Sequence, residues 1–279
     1  MKIAAIAREE IHSPCMVAKD LAILECVIGE LTAAGHHATL YKANRLETDT
    51  LQECSSCDAI VHMLRGTEKL AFLETAAKCG ATIINSTAAV KNCSRDRFTA
   101  ILSESGIQQP SYQVTPTKEA PPTAGYPMWI KKNKGWSMHK DDVCYAADHT
   151  DAIAIFEQFR QRGIDEVHCC SHIEGDIIKF YGIGTDFFRW YYPNPENTKF
   201  SLERHNGATS NNAFETSRLR AETSAAAKAL GLDIYGGDAI ITEDGEIYII
   251  DINDFPSFSA FREEAARAIA HLVTSQKRV

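Results

Sequence analysis

The sequence predicts a mixed α/β protein, with an N-terminal α/β lobe followed by a larger α+β region. Two observations support this fold class. Short apolar runs alternate with amphipathic segments of helical period in the first region, which is typical of a parallel sheet covered by helices. Later apolar runs follow one another across short turns, which indicates antiparallel hairpins. We expect three regions, residues 1–86, 87–173 and 174–279.

The first region is predicted to alternate strands with helices. Strands are expected at residues 2–7, 37–41, 59–63 and 82–84, and helices at 19–35 and 68–80. Gly35 ends the first helix, since glycine readily takes the left-handed conformation that follows a last turn. Parallel sheets bind ligands beyond the carboxyl ends of their strands. Arg8, His12 and Arg65 follow strand ends and are therefore expected at a binding edge.

The second and third regions combine helices with hairpin strands. One helix is predicted from Ser94 as N-cap to Gly106, and another over 151–163 with Thr150 as N-cap. Residues 115–126 are rich in proline and are predicted to form a loop. Strands are predicted at 112–114, 127–132, 143–146, 166–173 and 177–183, and further helices at 216–231 and 259–273.

A late hairpin carries the clearest functional signal. Two runs rich in β-branched residues, 239–242 and 247–252, flank an Asp-Gly pair, which is typical of a hairpin turn. The hairpin brings Asp238 next to Asp251 and Asn253, and the last two share a face because side chains alternate along a strand. Carboxylate and amide oxygens suit Mg²⁺ or Mn²⁺. Alternatively, both aspartates are ordinary turn residues at strand ends.

Cations within apolar strands indicate a bound anion. Lys131 and Lys179 each lie in an otherwise apolar strand, and burying an unpaired ammonium group is costly. A triphosphate would supply the opposite charge, with Arg97 and Arg204 as further cations. Alternatively, the lysines pair with carboxylates or extend their ammonium groups to solvent.

The composition argues against several classes of protein. The chain has 279 residues and a net charge of −8, and it has no basic stripe interleaved with aromatics, so nucleic acid is not an expected partner. No apolar run approaches the ~18 residues of a membrane helix, so no membrane partner is expected either. The 9 cysteines are scattered, which favours buried thiols in a reducing cytoplasm. Cys54 and Cys57 form a lone CxxC pair without a second ligand pair.

The order and spacing of these motifs resemble those of the ATP-grasp superfamily. The layout is similar to that of RimK-like ligases and inositol polyphosphate kinases from residue 85 onward. The first region has the place of a Rossmann-like pre-ATP-grasp lobe. Asp238, Asp251 and Asn253 match the family's metal triad, with Asp251 in place of the usual Glu. The sequence Asp-Ile-Asn-Asp-Phe-Pro at 251–256 is more similar to the kinases.

The resemblance implies a phosphate site. The opening of the helix at residues 95–98 is similar to a family helix whose cation reaches the phosphates, here Arg97. Lys131 and Lys179 match phosphate-facing lysines. The loop 133–139 resembles a mobile loop that folds over the phosphates, although it has one glycine where relatives often have several.

The resemblance also implies an adenine hinge. Residues 170–174 are similar to the hinge that offers backbone groups to adenine and an acid, here Glu174, to ribose. The alternative for Glu174 is a turn residue before Gly175. The implied nucleotide-binding residues are Arg97, Lys131, Ser171, His172, Ile173, Glu174 and Lys179, and the implied catalytic residues are Lys179 and Arg204.

Three functions are compatible with these motifs. The resemblance implies a carboxylate–amine ligase that uses ATP with Mg²⁺ or Mn²⁺ and forms an acylphosphate. The alternatives are a small-molecule kinase acting on a hydroxyl at the same site, and a nucleotide-binding protein without catalysis. The acceptor is an unidentified small molecule or peptide, and a homodimer is left open. Arg8, Arg65 and Arg262 are candidates to meet an anionic acceptor.

Overall fold

Three four-stranded sheets organise the part of the chain that the computed structural model describes, residues 1–45, 53–194 and 205–275. The strands are β1 (Lys2–Ile6), β2 (His37–Tyr41), β3 (Ala59–His62), β4 (Thr82–Ile84), β5 (Tyr112–Pro116), β6 (Met128–Lys132), β7 (Val143–Ala146), β8 (Glu166–Ser171), β9 (Asp176–Ile183), β10 (Phe187–Tyr191), β11 (Ile234–Ile241) and β12 (Ile247–Asp254). The helices are α1 (Val17–Ala33), α2 (Thr67–Lys78), α3 (Thr87–Asn92), α4 (Arg95–Glu104), α5 (His149–Gln161), α6 (Thr216–Leu230) and α7 (Arg262–Ser275).

The first sheet is parallel, as predicted, and its strand order is β2-β1-β3-β4. Helix α1 packs on it through Leu24 and Val27, and α7, at the other end of the chain, joins the same core through Ile269 and Val273. The helical spacing of these apolar positions gives each helix one buried face. Arg8 follows the carboxyl end of β1, and Arg65 lies in the loop that follows the carboxyl end of β3.

The second sheet is antiparallel, with the order β5-β8-β6-β7. Helix α5 covers one face, where Phe156 and Phe159 pack with Ile130. Alternate residues along β6 and β8 point to the other face, and there Lys131 stands opposite His168. This second face is oriented toward the functional site.

The third sheet is antiparallel, with the order β10-β9-β11-β12, and it includes the predicted hairpin β11–β12. Phe98 and Leu102 of α4 pack on it together with Leu219 and Leu230 of α6. Helix α4 therefore belongs to the core of this sheet, although it lies within the predicted second region. The division into residues 1–86, 87–173 and 174–279 remains a prediction.

Several local boundaries differ from those predicted. Helix α5 has Asp148 as its N-cap, and the Asp148 side chain accepts from the backbone N–H of Asp151 at 3.0 Å, so the prediction of Thr150 is wrong. Asp148 has extended backbone angles, whereas Thr150 already lies within the helix. Strand β10 and the short helix α3 were not predicted. None of the described helices is both long and apolar enough to cross a membrane.

Candidate functional site

A cavity of about 440 Å³ is lined by residues from all three sheets and their loops. The first lobe contributes the segments after β1 and β3, the second sheet contributes β6 and β8, and the third contributes β9, β11 and β12. This volume is within the range of small-molecule sites. Its position brings side chains that are far apart in sequence around one cavity.

The hairpin brings the three predicted metal ligands together at one end of the cavity. Asp238 stands opposite Asp251, and Gly236 stands opposite Asn253. Asn253 Nδ2 donates to Asp251 Oδ2 at 2.6 Å. A Cβ on Gly237 would overlap the backbone oxygen of Asp251 and the ring of Phe180, so only glycine permits this close approach of the strands.

The donor set is that of a hard divalent cation. Within the described ranges, no three His, Cys, Asp or Glu side chains form a metal-binding group. The set formed by Asp238, Asp251 and Asn253 is of a different kind, since it would offer an ion two carboxylates and one amide. Mg²⁺ typically uses one or two carboxylates and completes its shell with water and phosphate oxygens, so the residues fit Mg²⁺ or Mn²⁺.

Lys179 and Lys131 reach the same part of the cavity from two different sheets. Lys179 on β9 stands opposite Asp238, and its Nζ lies 2.6 Å from Asp238 Oδ1. This ion pair agrees with the alternative prediction that Lys179 pairs with a carboxylate, and it joins two of the predicted site residues. Lys131 on β6 has no carboxylate oxygen within 4.0 Å among the described residues, and burial together with Arg95 lowers its pKa.

Helix α4 turns Arg95, and not Arg97, toward the cavity. Arg95 is 8% exposed and donates to the backbone oxygen of Lys132 at 3.2 Å and to Ser137 Oγ at 3.0 Å. Arg97 is exposed and does not line the cavity. The buried positions of α4 are Arg95, Phe98, Thr99 and Leu102. Position 97 lies on the opposite face, so Arg95 and not the predicted Arg97 is the helix cation that lines the cavity.

The loop 133–139 follows β6 of the second sheet, packs against the first lobe through Trp136 and covers one side of the cavity. The Arg65 guanidinium lies 5.0 Å from the centre of the Trp136 ring, and the His12 ring lies 6.0 Å from it. Buried Asp142 holds the end of the loop by accepting from the backbone N–H groups of Met138 at 2.7 Å and His139 at 3.0 Å. Closure of this loop over phosphates remains a prediction.

The predicted hinge is partly at the cavity. Ser171 and Ile173 line it, whereas His172 and Glu174 do not. The His172 Nδ1 accepts from Trp129 Nε1 at 3.1 Å. Glu174 is exposed before Gly175, as the alternative of a turn residue predicts, and its role toward ribose remains a prediction.

Solved structures of other proteins resemble this chain over nearly its whole length. The RimK domain protein ATP-grasp from Sphaerobacter thermophilus has a TM-score of 0.71 at 19% identity, with 99% of this chain and 100% of that chain covered. D-alanine–D-alanine ligase from Bacillus anthracis has a TM-score of 0.70 at 15% identity, with 98% and 96% covered. The same ligase complexed with ATP has a TM-score of 0.70 at 15% identity and the same coverage. VanG D-Ala:D-Ser ligase from Enterococcus faecalis has a TM-score of 0.64 at 16% identity, with 98% and 99% covered.

The chain has the ATP-grasp fold. The predicted mixed α/β fold class is therefore confirmed, whereas the Rossmann-like character of the first lobe remains a prediction. No family model and no curated protein sequence matches the chain. At these identities the likeness concerns the arrangement of the backbone, so the roles of the site residues in this ATP-grasp chain are argued from their own geometry.

Asn206 and Trp129 line the cavity and were not predicted from the sequence. Asn206 donates to the backbone oxygens of Ile173 at 2.9 Å and Gly175 at 3.2 Å, which ties the segment after residue 204 to the hinge. Trp129 lies on the same face of β6 as Lys131, and its ring centre is 5.3 Å from that of His205. Period-2 alternation could have found Trp129, whereas the segment around Asn206 has no periodic pattern.

The first-lobe end of the cavity is built around a buried aspartate that was also missed. Arg65 Nε lies 2.9 Å from Asp254 Oδ1, and Arg8 Nη1 lies 3.6 Å from Asp254 Oδ2. Burial alone would raise the pKa of Asp254, but Arg65 and Arg8 lower it below its usual range. Arg8 also binds Asp20.

These contacts weaken the prediction that Arg8, Arg65 and Arg262 bind an anionic acceptor. The charges of Arg8 and Arg65 are largely neutralised by carboxylates of the protein, and Arg262 does not line the cavity. His12 does line it, as expected of the binding edge. Arg204, predicted as catalytic, lies outside the described residues.

Proposed function

We propose that this ATP-grasp protein is a Mg²⁺- and ATP-dependent ligase that joins a carboxylate to an amine through an acylphosphate. The observation that carries the proposal is the convergence of Lys131, Arg95 and Lys179 with Asp238, Asp251 and Asn253 at one cavity. A triphosphate carries several negative charges, and it needs both cations and a divalent metal to be bound.

The site residues would act by binding and positioning. Lys131 and Arg95 approach from one side of the cavity and would hold phosphate oxygens of the nucleotide. Asp238, Asp251 and Asn253 would hold the ion, which supplies neutralising charge to the triphosphate. Phosphoryl transfer requires mainly alignment and electrostatic stabilisation rather than a covalent protein nucleophile.

The reaction would proceed in two displacements. An oxygen of the substrate carboxylate attacks the γ-phosphorus, the bond to the bridging oxygen breaks, and ADP leaves with that electron pair. The amine nitrogen then attacks the acyl carbon, the C–O bond to phosphate breaks, and inorganic phosphate leaves. The amine loses one proton as the amide forms. The loop carrying Trp136 would exclude water from the reactive acylphosphate.

A small-molecule kinase is the second candidate. It is favoured by Asp251 in the place of the longer Glu and by the sequence at 251–256. In this chain, however, Asp254 of that sequence binds Arg65 and Arg8, so part of the motif serves contact between the lobes. A kinase would leave the phosphoryl group on a hydroxyl of its product. A nucleotide-binding protein without catalysis would bind Mg-ATP and turn over no acceptor.

Incubation with Mg-ATP and a pooled library of carboxylates, amines and polyols, followed by mass spectrometry, tests these functions. The ligase predicts a product whose mass equals two compounds minus one water, together with ADP and phosphate. A mass gain of one phosphoryl group on a single compound would support the kinase instead. Metal-dependent ATP binding without any product would leave only the binding function.

A further inference from the structure

The Arg65 side chain has three contacts, with Asp254, Asn253 and Trp136, that no other described cation of the first lobe combines. Its backbone N–H donates to Glu9 Oε2 at 3.1 Å, which fixes the start of the loop after β3. Its guanidinium donates twice to Asp254 Oδ1, from Nε at 2.9 Å and from Nη2 at 2.5 Å. The side chain is 9% exposed, and that of Asp254 is 1% exposed, so this ion pair is shielded from solvent.

The second contact reaches a predicted metal ligand. Arg65 Nη2 lies 3.4 Å from Asn253 Oδ1, while Nδ2 of the same amide donates to Asp251 Oδ2. A guanidinium can only donate, so it selects the oxygen of the amide. An amide oxygen has two lone pairs, and Oδ1 can accept from Arg65 and still coordinate a cation.

The third contact is with the covering loop. The guanidinium lies 5.0 Å from the centre of the Trp136 ring, a distance at which cation–π attraction is effective. The neighbouring Ser137 accepts from Arg95, the cation of α4. Arg65 thus lies between the loop and the end of β12, and it touches both.

We propose that Arg65 is a positioning residue of the metal–nucleotide site, and that it holds the Asn253 amide and the Trp136 loop in the arrangement that binds the metal. This inference rests on the proposed function. Partners of metal ligands typically change metal affinity 10- to 100-fold when they are removed. Arg65 therefore contributes to metal binding without touching the ion itself.

Arg8 provides a matched control. It contacts the same Asp254 carboxylate and the backbone oxygen of Phe255 at 2.8 Å, yet it has no described contact with Asn253 or Trp136. Arg8→Gln weakens the contact between the lobes and spares the two contacts that distinguish Arg65. If Arg65 acted only through the Asp254 ion-pair cluster, Arg8→Gln would lower the Mn²⁺ affinity as well.

The test is direct Mn²⁺ binding, measured by electron paramagnetic resonance in the presence of adenylyl imidodiphosphate, together with nucleotide binding in EDTA. We expect Arg65→Gln to weaken Mn²⁺ binding about tenfold or more and to leave metal-free nucleotide binding nearly unchanged, with Arg65→Lys in between. Arg8→Gln should retain most of the Mn²⁺ affinity.

Equal Mn²⁺ affinity of Arg65→Gln and the unmodified protein would overturn the proposal, as would equal losses in Arg65→Gln and Arg8→Gln. If Arg65→Gln does not fold, as judged by circular dichroism, Arg65→Lys decides, and an unchanged affinity in that variant overturns the proposal. Failure of the unmodified protein to bind Mn²⁺ with the nucleotide would instead refute the proposed function.

Discussion

Lys179 and Asp238 face each other on β9 and β11, with Nζ 2.6 Å from Oδ1. The pair joins a predicted phosphate cation to a predicted metal ligand, so neither acts independently of the other. Both side chains are 24% exposed, so the ion pair remains accessible from the cavity. A bound triphosphate would interact with a lysine, and its metal with an aspartate, whose charges already partly neutralise each other.

Asp251 is predicted to be essential for turnover. Asp251→Ala removes one of two carboxylates from the proposed ion site, and we expect ATP turnover to fall at least ~100-fold because charge stabilisation at the phosphoryl group is lost. The measurement is steady-state ADP release at saturating Mg-ATP. Glu243→Gln is the control, since Glu243 is exposed at the turn of the same hairpin. Equal activity of both variants would exclude the proposed metal site.

Lys131 is predicted to strengthen nucleotide binding and to lower the thermal stability of the protein. Its lowered pKa shows that burial disfavours the charged form, so Lys131→Met should leave the melting temperature unchanged or raise it. Loss of a charge-assisted hydrogen bond to phosphate should weaken nucleotide binding about 10- to 100-fold. Calorimetric titration and thermal unfolding measure the two effects. Lys118→Met, at an exposed side chain that does not line the cavity, should change neither. A destabilised Lys131→Met that binds the nucleotide normally would contradict the interpretation.

Trp136 is predicted to keep water out of the closed site. Trp136→Ala removes the ring that packs on Arg65 and the first lobe, and we expect more phosphate release per molecule of product, because an exposed acylphosphate hydrolyses. Trp136→Phe keeps a ring at this position and should release about as much phosphate per molecule of product as the unmodified protein. Parallel measurement of phosphate and product gives the ratio. An unchanged ratio in Trp136→Ala would show that the loop does not exclude water.

His168 is predicted to make the protein sensitive to acid. Burial, followed by the charges of Lys131 and Arg95, lowers the pKa of His168 to about 2. The unfolded chain binds a proton near pH 6.5 and the folded chain does not, so stability is complete above that pH and falls below it. The loss from this residue is about 2 kcal/mol between pH 6.5 and pH 5.

Denaturant unfolding at both pH values measures that loss. His168→Phe can keep the stack on Tyr112, whose ring centre is 4.6 Å away, and it should reduce the difference in unfolding free energy between the two pH values. The buried His62, with a pKa lowered to about 4, should maintain a smaller acid sensitivity in the variant. An unchanged difference would show that His168 is already protonated in the folded protein.

Some positions of the candidate site followed from local pattern. The Asp-Gly turn and the alternation of the flanking strands were enough to bring Asp238, Asp251 and Asn253 together, because their neighbours are set by the register of one hairpin. The same alternation places Lys131 on the cavity face of β6. Their catalytic and metal-binding roles remain predictions.

Other positions depended on which face of an element is buried. Arg95 and Arg97 are two residues apart on α4, and both are cations near a helix start. The sequence alone did not distinguish them, since the choice depends on how the helix packs against the third sheet. Exposure of Glu174 likewise depends on the hairpin that follows the hinge.

The amino-acid sequence by itself determined the alternation of strands and helices, the late hairpin and the residues that this hairpin brings together, because these features depend on near neighbours and on period. Only the tertiary structure decided that Arg65 meets Asp254, 189 residues away, and that Trp136 covers the cavity. Such contacts depend on how separate sheets pack, and packing is the joint result of many buried side chains, which no single stretch of sequence encodes.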